Sequence, residues 1–365
     1  MSEDSALRVL LACDWFVKYT VGLAEALLSQ GCEVALLTRD HDDEFGGEPG
    51  AMSAFVADRL GDRVRHVKLG GRVRDPHALL AAARIRRGAG GWGPHVVHVQ
   101  DSLANDLRLT AISASLRRPL ALTVHDPAPH PGDAVAVAAT RHLRRWLRRR
   151  AELVFVHSAE LASELAATGD TAAPIEVVPH GVGAAAAAPL PDPPALLFFG
   201  RMSHYKGLDV LLDAMPAVWE RLPELRLTVA GGGQVANHPL LADPRVECRF
   251  EHVPEDVIPA LFAAATCVVL PYREASQSGV GSLARGHGRA VVATRVGGLP
   301  ELVGDDWGRL VEPEDPRALA TAILEVVETP GLAAALGEAA ASSLGGSDWD
   351  SVAAATVAAY RRHLL

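Results

Sequence analysis

One feature constrains this chain more than any other. Short, almost wholly apolar runs alternate with longer amphipathic ones, and the series starts twice. The first series reads "LRVLLACDW", "CEVALLTR", "VRHVKL", "HVVHVQ", "LALTVHD" and "LVFVHS". The second reads "ALLFFG", "LRLTVAG", "VECRFEHV", "TCVVLPY", "AVVATRV" and "GRLVE". A strand with one face in water would alternate apolar and polar residues; runs apolar at nearly every position suit strands covered on both faces. Stretches such as "TVGLAEALLSQG", which stops on Gly31, supply the helices between them. The expectation is α/β: βαβ units on parallel sheets.

A chain of 365 residues is too long for one ordinary core, so two domains are expected. The stretch "GVGAAAAAPLPDPPA" (181–195) separates the two series with five alanines and then four prolines, and reads as a linker. The expected division is a Rossmann-like domain over 1–184, a linker over 185–194, and a second Rossmann-like domain over 195–346. A terminal helix follows over 347–365, with Ser347 as its cap and no docking site evident. The net charge of −9 argues against nucleic acid as a partner. The opening "MSEDSALRVLLACDWF" lacks the basic region of a signal peptide, and no run reaches the roughly 18 apolar residues of a spanning helix. A cytoplasmic protein is therefore expected. The four cysteines have no metal-ligand or redox spacing and are expected to be buried thiols.

Ligands of open parallel sheets bind beyond the carboxyl ends of the strands, so the residues gathered there are the candidates. The chain has three lysines, at 18, 68 and 206. Lys206 shares the loop "GRMSHYKG" (200–207) with Gly200 and Arg201, between a strand end and a helix start. Two cations at such a turn suit an anion of more than one charge, such as a diphosphate; a pair of solvated surface charges is the alternative. The loop "SQSGVGS" (276–282) offers successive amides at another helix start, with Ser278, Gly279 and Val280 as donors; an ordinary turn of small residues is the alternative. "TRVGGLPELV" (294–303) brings Glu301 to a helix start, and "AGGGQ" (230–234) places Gly231 after a strand.

Taken in order, "VVPHGV", "FFGRMSHYKGLDVLLDAM", "LTVAGGG", "VVLPY" and "GRAVVATRVGGLPELV" resemble the C-terminal domain of the retaining glycosyltransferases of family four. The first half is similar more loosely, through "HVVHVQDS", "LALTVHD" and "LVFVHSAELASEL". The resemblance implies the GT-B fold, two Rossmann-like domains facing across a cleft. It also implies transfer of a sugar from a nucleotide diphosphate donor, UDP ahead of dTDP and GDP, to a hydroxyl-bearing small molecule, glycan or lipid. No metal or other cofactor is expected. Arg201 and Lys206 would hold the donor diphosphate with Gly200, Ser278, Gly279 and Val280. Gly231 and Glu301 would serve the nucleotide, and His125 at the end of "LTVHD" would help to place the sugar. A histidine paired within its own domain is the alternative for His125. The run "HDPAPHPGD" (125–133) could also be read as a metal site of His125, Asp126, His130 and Asp133, though a proline-broken loop converges poorly. The same fold hosts nucleotide-sugar epimerases, and a catalytically silent nucleotide-sugar-binding homologue is a further alternative.

The chain departs from the family pattern in two places. Relatives carry two glutamates separated by seven residues across the Ser/Gly loop; here those positions hold Ala275 and Leu283, with Glu274 one residue early as the remaining carboxylate for the sugar. After the first strand, relatives have a Gly-Gly pair, whereas here Gly22 alone remains beside Asp14, Trp15, Lys18 and Tyr19. Trp15, Lys18 and Tyr19 are candidate acceptor contacts. The arginine-dense run "RHLRRWLRRRAE" (141–152) is read as a solvated helix whose Leu143–Trp146–Leu147 stripe packs on the sheet, with peripheral membrane contact as the alternative.

Overall fold

The computed structural model describes residues 6–365 apart from 72–75, 103–105, 128–133, 186–187, 234–236, 276–277 and 305. The chain forms two units: Met1–Gly181 with Trp349–Leu365, and Val182–Asp348.

In the first unit the strands are β1 (Arg8–Cys13), β2 (Glu33–Arg39), β3 (Arg65–Leu69), β4 (Val96–Asp101), β5 (Leu120–Val124), β6 (Leu153–Val156) and β7 (Ile175–Val177). They form a parallel sheet in the order β3-β2-β1-β4-β5-β6-β7. The apolar runs place six of these strands. The short β7 is the addition, a partly exposed edge strand whose three residues make too weak a signal. Both faces of the sheet are covered. Val9, Leu11 and Cys13 point into one core cluster with the helices Val17–Ser29, Ala51–Leu60 and Trp349–His363; Leu10 and Ala12 point into the other with Leu109, Leu147 and Leu161.

The terminal helix thus has its dock. Val352, Val357 and Tyr360 are buried in the first unit, and Trp349 packs where a Cβ on Gly22 or Gly181 would come within 2.5 Å and 2.4 Å of its ring. Gly22 therefore makes room for a tryptophan. Ser347 does not act as the expected cap: its carbonyl accepts from Val182 N at 2.8 Å and its hydroxyl from Arg285, within the second unit.

The second unit's strands are β8 (Ala195–Phe199), β9 (Arg226–Ala230), β10 (Val246–Arg249), β11 (Cys267–Leu270), β12 (Ala290–Thr294) and β13 (Gly308–Val311). All pair in parallel in the order β10-β9-β8-β11-β12-β13. Leu196 and Phe198 face one core, Leu197 and Phe199 the other. Among the described residues no single helix is long and apolar enough to cross a membrane.

The arginine-dense helix, Ala134–Arg150, packs differently from the sequence expectation. Trp146 is 47% exposed, and among the described side chains of this helix the buried ones are Arg144, Leu147 and Arg148. Two arginines can lie inward because Asp101, at the end of β4, accepts from both: Arg148 Nε donates to its Oδ2 at 2.9 Å, and Arg144 Nε to its Oδ1 at 3.3 Å. A buried ion pair fully bonded in this way excludes the tryptophan from the sheet.

Candidate functional site

In the second unit the strand order reverses between β8 and β11, so the loops after these strands leave the sheet in opposite directions and open a crevice. The loop after β8 is pinned by Met202 N donating to Gly232 O at 2.8 Å. It then turns through His204–Lys206 and enters the helix Leu208–Arg221. Two glycines are obligatory here. Gly200 (φ 107°) passes so close that a Cβ would lie 2.7 Å from Lys206 Nζ, and a Cβ on Gly207 (φ 67°) would lie 2.0 Å from Pro271 O.

Lys206 is buried, 7% exposed. Its ammonium donates to Tyr272 Oη at 3.0 Å and lies 4.9 Å from the centre of that ring. The Tyr272 hydroxyl is also hydrogen-bonded to Ser278 Oγ at 3.3 Å, where either oxygen can donate, and Ser278 Oγ accepts from Gly281 N at 3.1 Å. Burial works against the charge on Lys206, but the phenols of Tyr272 and Tyr205 outweigh it and raise its pKa above the ordinary lysine value. Among the described residues no carboxylate forms an ion pair with this ammonium. Ser278 caps the helix Gly279–Gly286, whose first amides, those of Gly279 and Val280, have no acceptor within the helix. Arg201 is exposed on the same loop as Lys206. Arg201, Lys206, Ser278, Gly279 and Val280 thus fall on the two loops that border one crevice.

The other candidates of this unit sit around it. Glu274 is exposed on the loop after β11, and Glu301 is exposed in the first turn of Leu299–Val303. Gly231 (φ 141°) is buried; its amide donates to Arg249 O at 2.9 Å, and a Cβ there would meet Gly200 O at 2.1 Å. Its role is to let two loops cross. Ala275 is buried and Leu283 packs, half-buried, against the core, so neither family glutamate position offers a polar group. Sequence reasoning missed Tyr272, although it stands at a strand end six residues before Ser278. Ser276 and Gln277 lie outside the described residues.

The corresponding reversal in the first unit lies between β1 and β4. Its chemistry is opposite. Asp14 is buried, accepts from the Asp106 amide, and is pushed up in pKa by burial. Phe16 turns the chain in a left-handed conformation (φ 62°) into the helix Val17–Ser29. There Glu44 accepts from Val17 N at 2.8 Å and from Lys18 N at 3.1 Å, so an internal carboxylate fills the start of the helix. Trp15 stacks on His41 with ring centres 5.4 Å apart, and Lys18 Nζ lies 5.2 Å from the Phe45 ring. Both are half-exposed. Tyr19 is buried among the rings of His125, His157, His180 and Trp349.

His125 is buried and stacked on Phe16, with ring centres 3.9 Å apart. Its ring nitrogens meet Gln100 and His157 at 2.9 Å and 3.1 Å. The directions of these bonds follow from one fixed end. Val178 O can only accept, so His157 Nδ1 carries the proton, 3.0 Å away. A neutral His157 then accepts at Nε2 from His125 Nδ1–H, which leaves His125 Nε2 as an acceptor. The atom placed 2.9 Å from that nitrogen is Gln100 Oε1, while Gln100 Nε2 has no partner; turning the amide over, which keeps its shape, puts the nitrogen there as donor and completes the line. Burial, with each ring's neighbours, keeps these imidazoles neutral: the His157 pKa falls to about 3 and that of His125 well below its usual value. His130 and Asp133 of the alternative metal reading lie outside the described residues.

Family models match both halves of the chain. The model for Glycosyltransferase Family 4 matches residues 17–185, and that for Glycosyl transferases group 1 matches residues 193–329. The D-inositol 3-phosphate glycosyltransferase of Streptomyces scabiei is 30% identical over 392 residues, covering 94% of this chain and 85% of that protein. The glycogen synthase of Mycobacterium tuberculosis is 29% identical over 308 residues, covering 78% and 73%. Among solved structures, sucrose-phosphate synthase from Thermosynechococcus elongatus aligns with a TM-score of 0.75 at 20% identity, covering 98% of both chains. Anabaena Alr3699/HepE, in complex with UDP and glucose, aligns at 0.73 and 18%, covering 97% and 99%. The fold is GT-B, and the chain belongs to the family 4 glycosyltransferases, the glycosyl transferases of group 1.

Proposed function

We propose that the protein is a retaining glycosyltransferase that moves a sugar from a nucleotide diphosphate to a hydroxyl-bearing acceptor, without a metal ion. The observation that carries the reading is Lys206, a buried ammonium with a phenol and, among the described residues, no carboxylate as partner. A buried charge without a counter-ion is costly, so the site is built for an anion. The donor diphosphate lies between the loops after β8 and β11. Lys206 and Arg201 meet its charge, and the Ser278 hydroxyl and the amides of Gly279 and Val280 donate to its oxygens. Gly231 and Glu301 border the nucleotide.

As the anomeric C–O bond to the β-phosphate breaks, negative charge grows on the departing oxygen. Donors already in place stabilise that charge more in the transition state than in the ground state. The acceptor oxygen attacks from the face the phosphate leaves, and its proton passes to the departing phosphate oxygen. The stereochemistry of the anomeric carbon is thereby retained. Glu274 and His125 are assigned to the sugar; His125 serves it by exchanging Gln100 for a sugar hydroxyl at Nε2.

Leu283 stands where a carboxylate would receive the ribose hydroxyls, which makes dTDP the chief competitor of UDP. Thermal unfolding against UDP, GDP, dTDP and ADP decides between them. A nucleotide at 100 times its dissociation constant adds about 2.7 kcal/mol of apparent stability. The expected result is a shift with one of them that Lys206→Ala abolishes. No shift with any nucleotide at millimolar concentration would overturn the diphosphate site and leave a silent homologue as the better reading.

A further inference from the structure

The helix Ala134–Arg150 sorts its arginines by face. Arg144 and Arg148 lie inside, where Asp101 and the carbonyls of Asp126 and Pro127 take up their donors. The opposite face carries Arg141, Arg145 and Arg149 along one i, i+4 row and His142, Trp146 and Arg150 along the next. All six are exposed, Trp146 by 47%. Arg145 pairs with Asp170 at 2.8 Å. The protein's own contacts thus take up Arg144, Arg145 and Arg148 and leave an aromatic ring at the surface beside Arg141, Arg149 and Arg150.

The charge around this face is segregated. Residues 76–150 contain twelve arginines against four aspartates, with no lysine or glutamate, in a chain of net charge −9. Exposed Arg84, Arg86 and Arg87 lie on the helix Pro76–Trp92, and exposed Arg117 and Arg118 follow the helix Leu107–Ser115. Ile85, Leu116 and Leu147 join one core cluster, so these helices cover the same face of the sheet. Glu152 N donates to Leu120 O at 2.8 Å, which brings Arg118 and Arg150, two residues before each, to the same end of neighbouring strands.

We propose that this face docks on an anionic lipid bilayer. Trp146 enters the headgroup boundary with its ring, and Arg141, Arg149 and Arg150 meet lipid phosphates around it. Tryptophan and arginine are the residues that a bilayer surface selects, the first for its amphipathic ring and the second for phosphate pairing. The negative charge over the rest of the molecule is repelled by the same leaflet, so the patch also sets the orientation. The sequence expectation that Trp146 packs on the sheet had removed the apolar half of such a surface; its exposure restores it.

The test is sedimentation of the full chain with vesicles of phosphatidylcholine alone and of phosphatidylcholine with one third phosphatidylglycerol. Binding is expected only to the anionic vesicles and to weaken between low and physiological salt, as screening shortens to about 8 Å. Each basic residue near an anionic leaflet contributes about 1 kcal/mol, roughly fivefold in affinity, so Arg141→Ala/Arg149→Ala/Arg150→Ala together should weaken binding about 100-fold. Trp146→Ala should weaken it further, and Trp146→Phe should remove the blue shift of tryptophan emission on binding. These side chains are exposed, so the melting temperature of the variants should match the parent. The proposal is overturned if the parent does not bind anionic vesicles at low salt, or if the triple variant binds equally well. Tighter binding to duplex DNA than to vesicles, lost in the same variant, would also overturn it.

Discussion

Each unit begins with an apolar strand, a turn and a helix, and the two turns have been given opposite chemistry. In the first unit the amides at the start of the helix are occupied by Glu44, and Asp14 lies buried beside them. In the second, glycines bring the chain close to a buried ammonium, and Ser278 leaves the first amides of the neighbouring helix to a ligand. A helix start attracts an anion wherever its donors are free. Helix starts of this kind recur in both units, and side chains decide which one is open. In the proposed function the open helix start of the second unit takes the donor diphosphate, and the first unit, whose helix start holds a carboxylate of its own, takes a neutral hydroxyl acceptor.

The largest way to break that comparison is to remove the cation. Lys206→Ala should lower turnover on an identified donor by about 10²–10³, the roughly 3–4 kcal/mol that one preorganised donor to a developing charge supplies. Alanine also leaves a gap beside Gly200, so Lys206→Met, which keeps the volume, separates charge from packing. Loss in both variants supports the assignment; turnover of the methionine variant near the parent's would remove the charge from the mechanism.

What the sequence made legible follows the range of the forces involved. Strands buried on both faces announce themselves because every position is apolar, and the Arg201–Lys206 and Ser278–Val280 loops because each is built from neighbours in the chain. Contacts between distant segments were not legible. Nothing in "HYKG" shows that Lys206 meets Tyr272, and nothing in "LTVHD" shows that both ring nitrogens of His125 are taken by residues 25 and 32 positions away. The orientation of Ala134–Arg150 was illegible for a related reason: its inward face is polar, and only Asp101, on a strand, makes burial of Arg144 and Arg148 affordable.

A second difference between the units is their response to acid. Six described imidazoles of the first unit, those of His66, His95, His98, His125, His157 and His180, are held below the ordinary value, mainly by burial, against His287 alone in the second. The His98 and His157 pKa values fall to about 3. The unfolded chain then takes up protons first, near 6.5. The stability that His98 and His157 provide is complete above pH 6.5 and is lost as pH falls toward 3. At pH 5 these two rings each cost about 2 kcal/mol, from 1.36 kcal/mol per unit over about one and a half units. Hydrogen exchange at pH 7.5 and 5 should show protection falling in β4, β5 and β6 well before β8, β11 and β12. Equal loss in both units would mean that the imidazole cluster does not govern the first.

The smallest effect tests the seal itself. Glu44→Gln keeps the shape and one acceptor oxygen but removes the charge from the helix start, where a carboxylate is worth roughly 0.3–1 kcal/mol. The variant should be less stable by that amount. It should also discriminate less against anions in the first unit: between an acceptor and its phosphorylated counterpart, the ratio of kcat/KM should move toward the phosphorylated one by up to about fivefold. Donor binding, measured as the nucleotide-induced shift in melting temperature, should not change, because Lys206 and Ser278 belong to the other unit. A changed donor shift with an unchanged acceptor ratio would reverse the assignment of the two turns. An unchanged ratio with the expected loss of stability would reduce Glu44 to a helix cap.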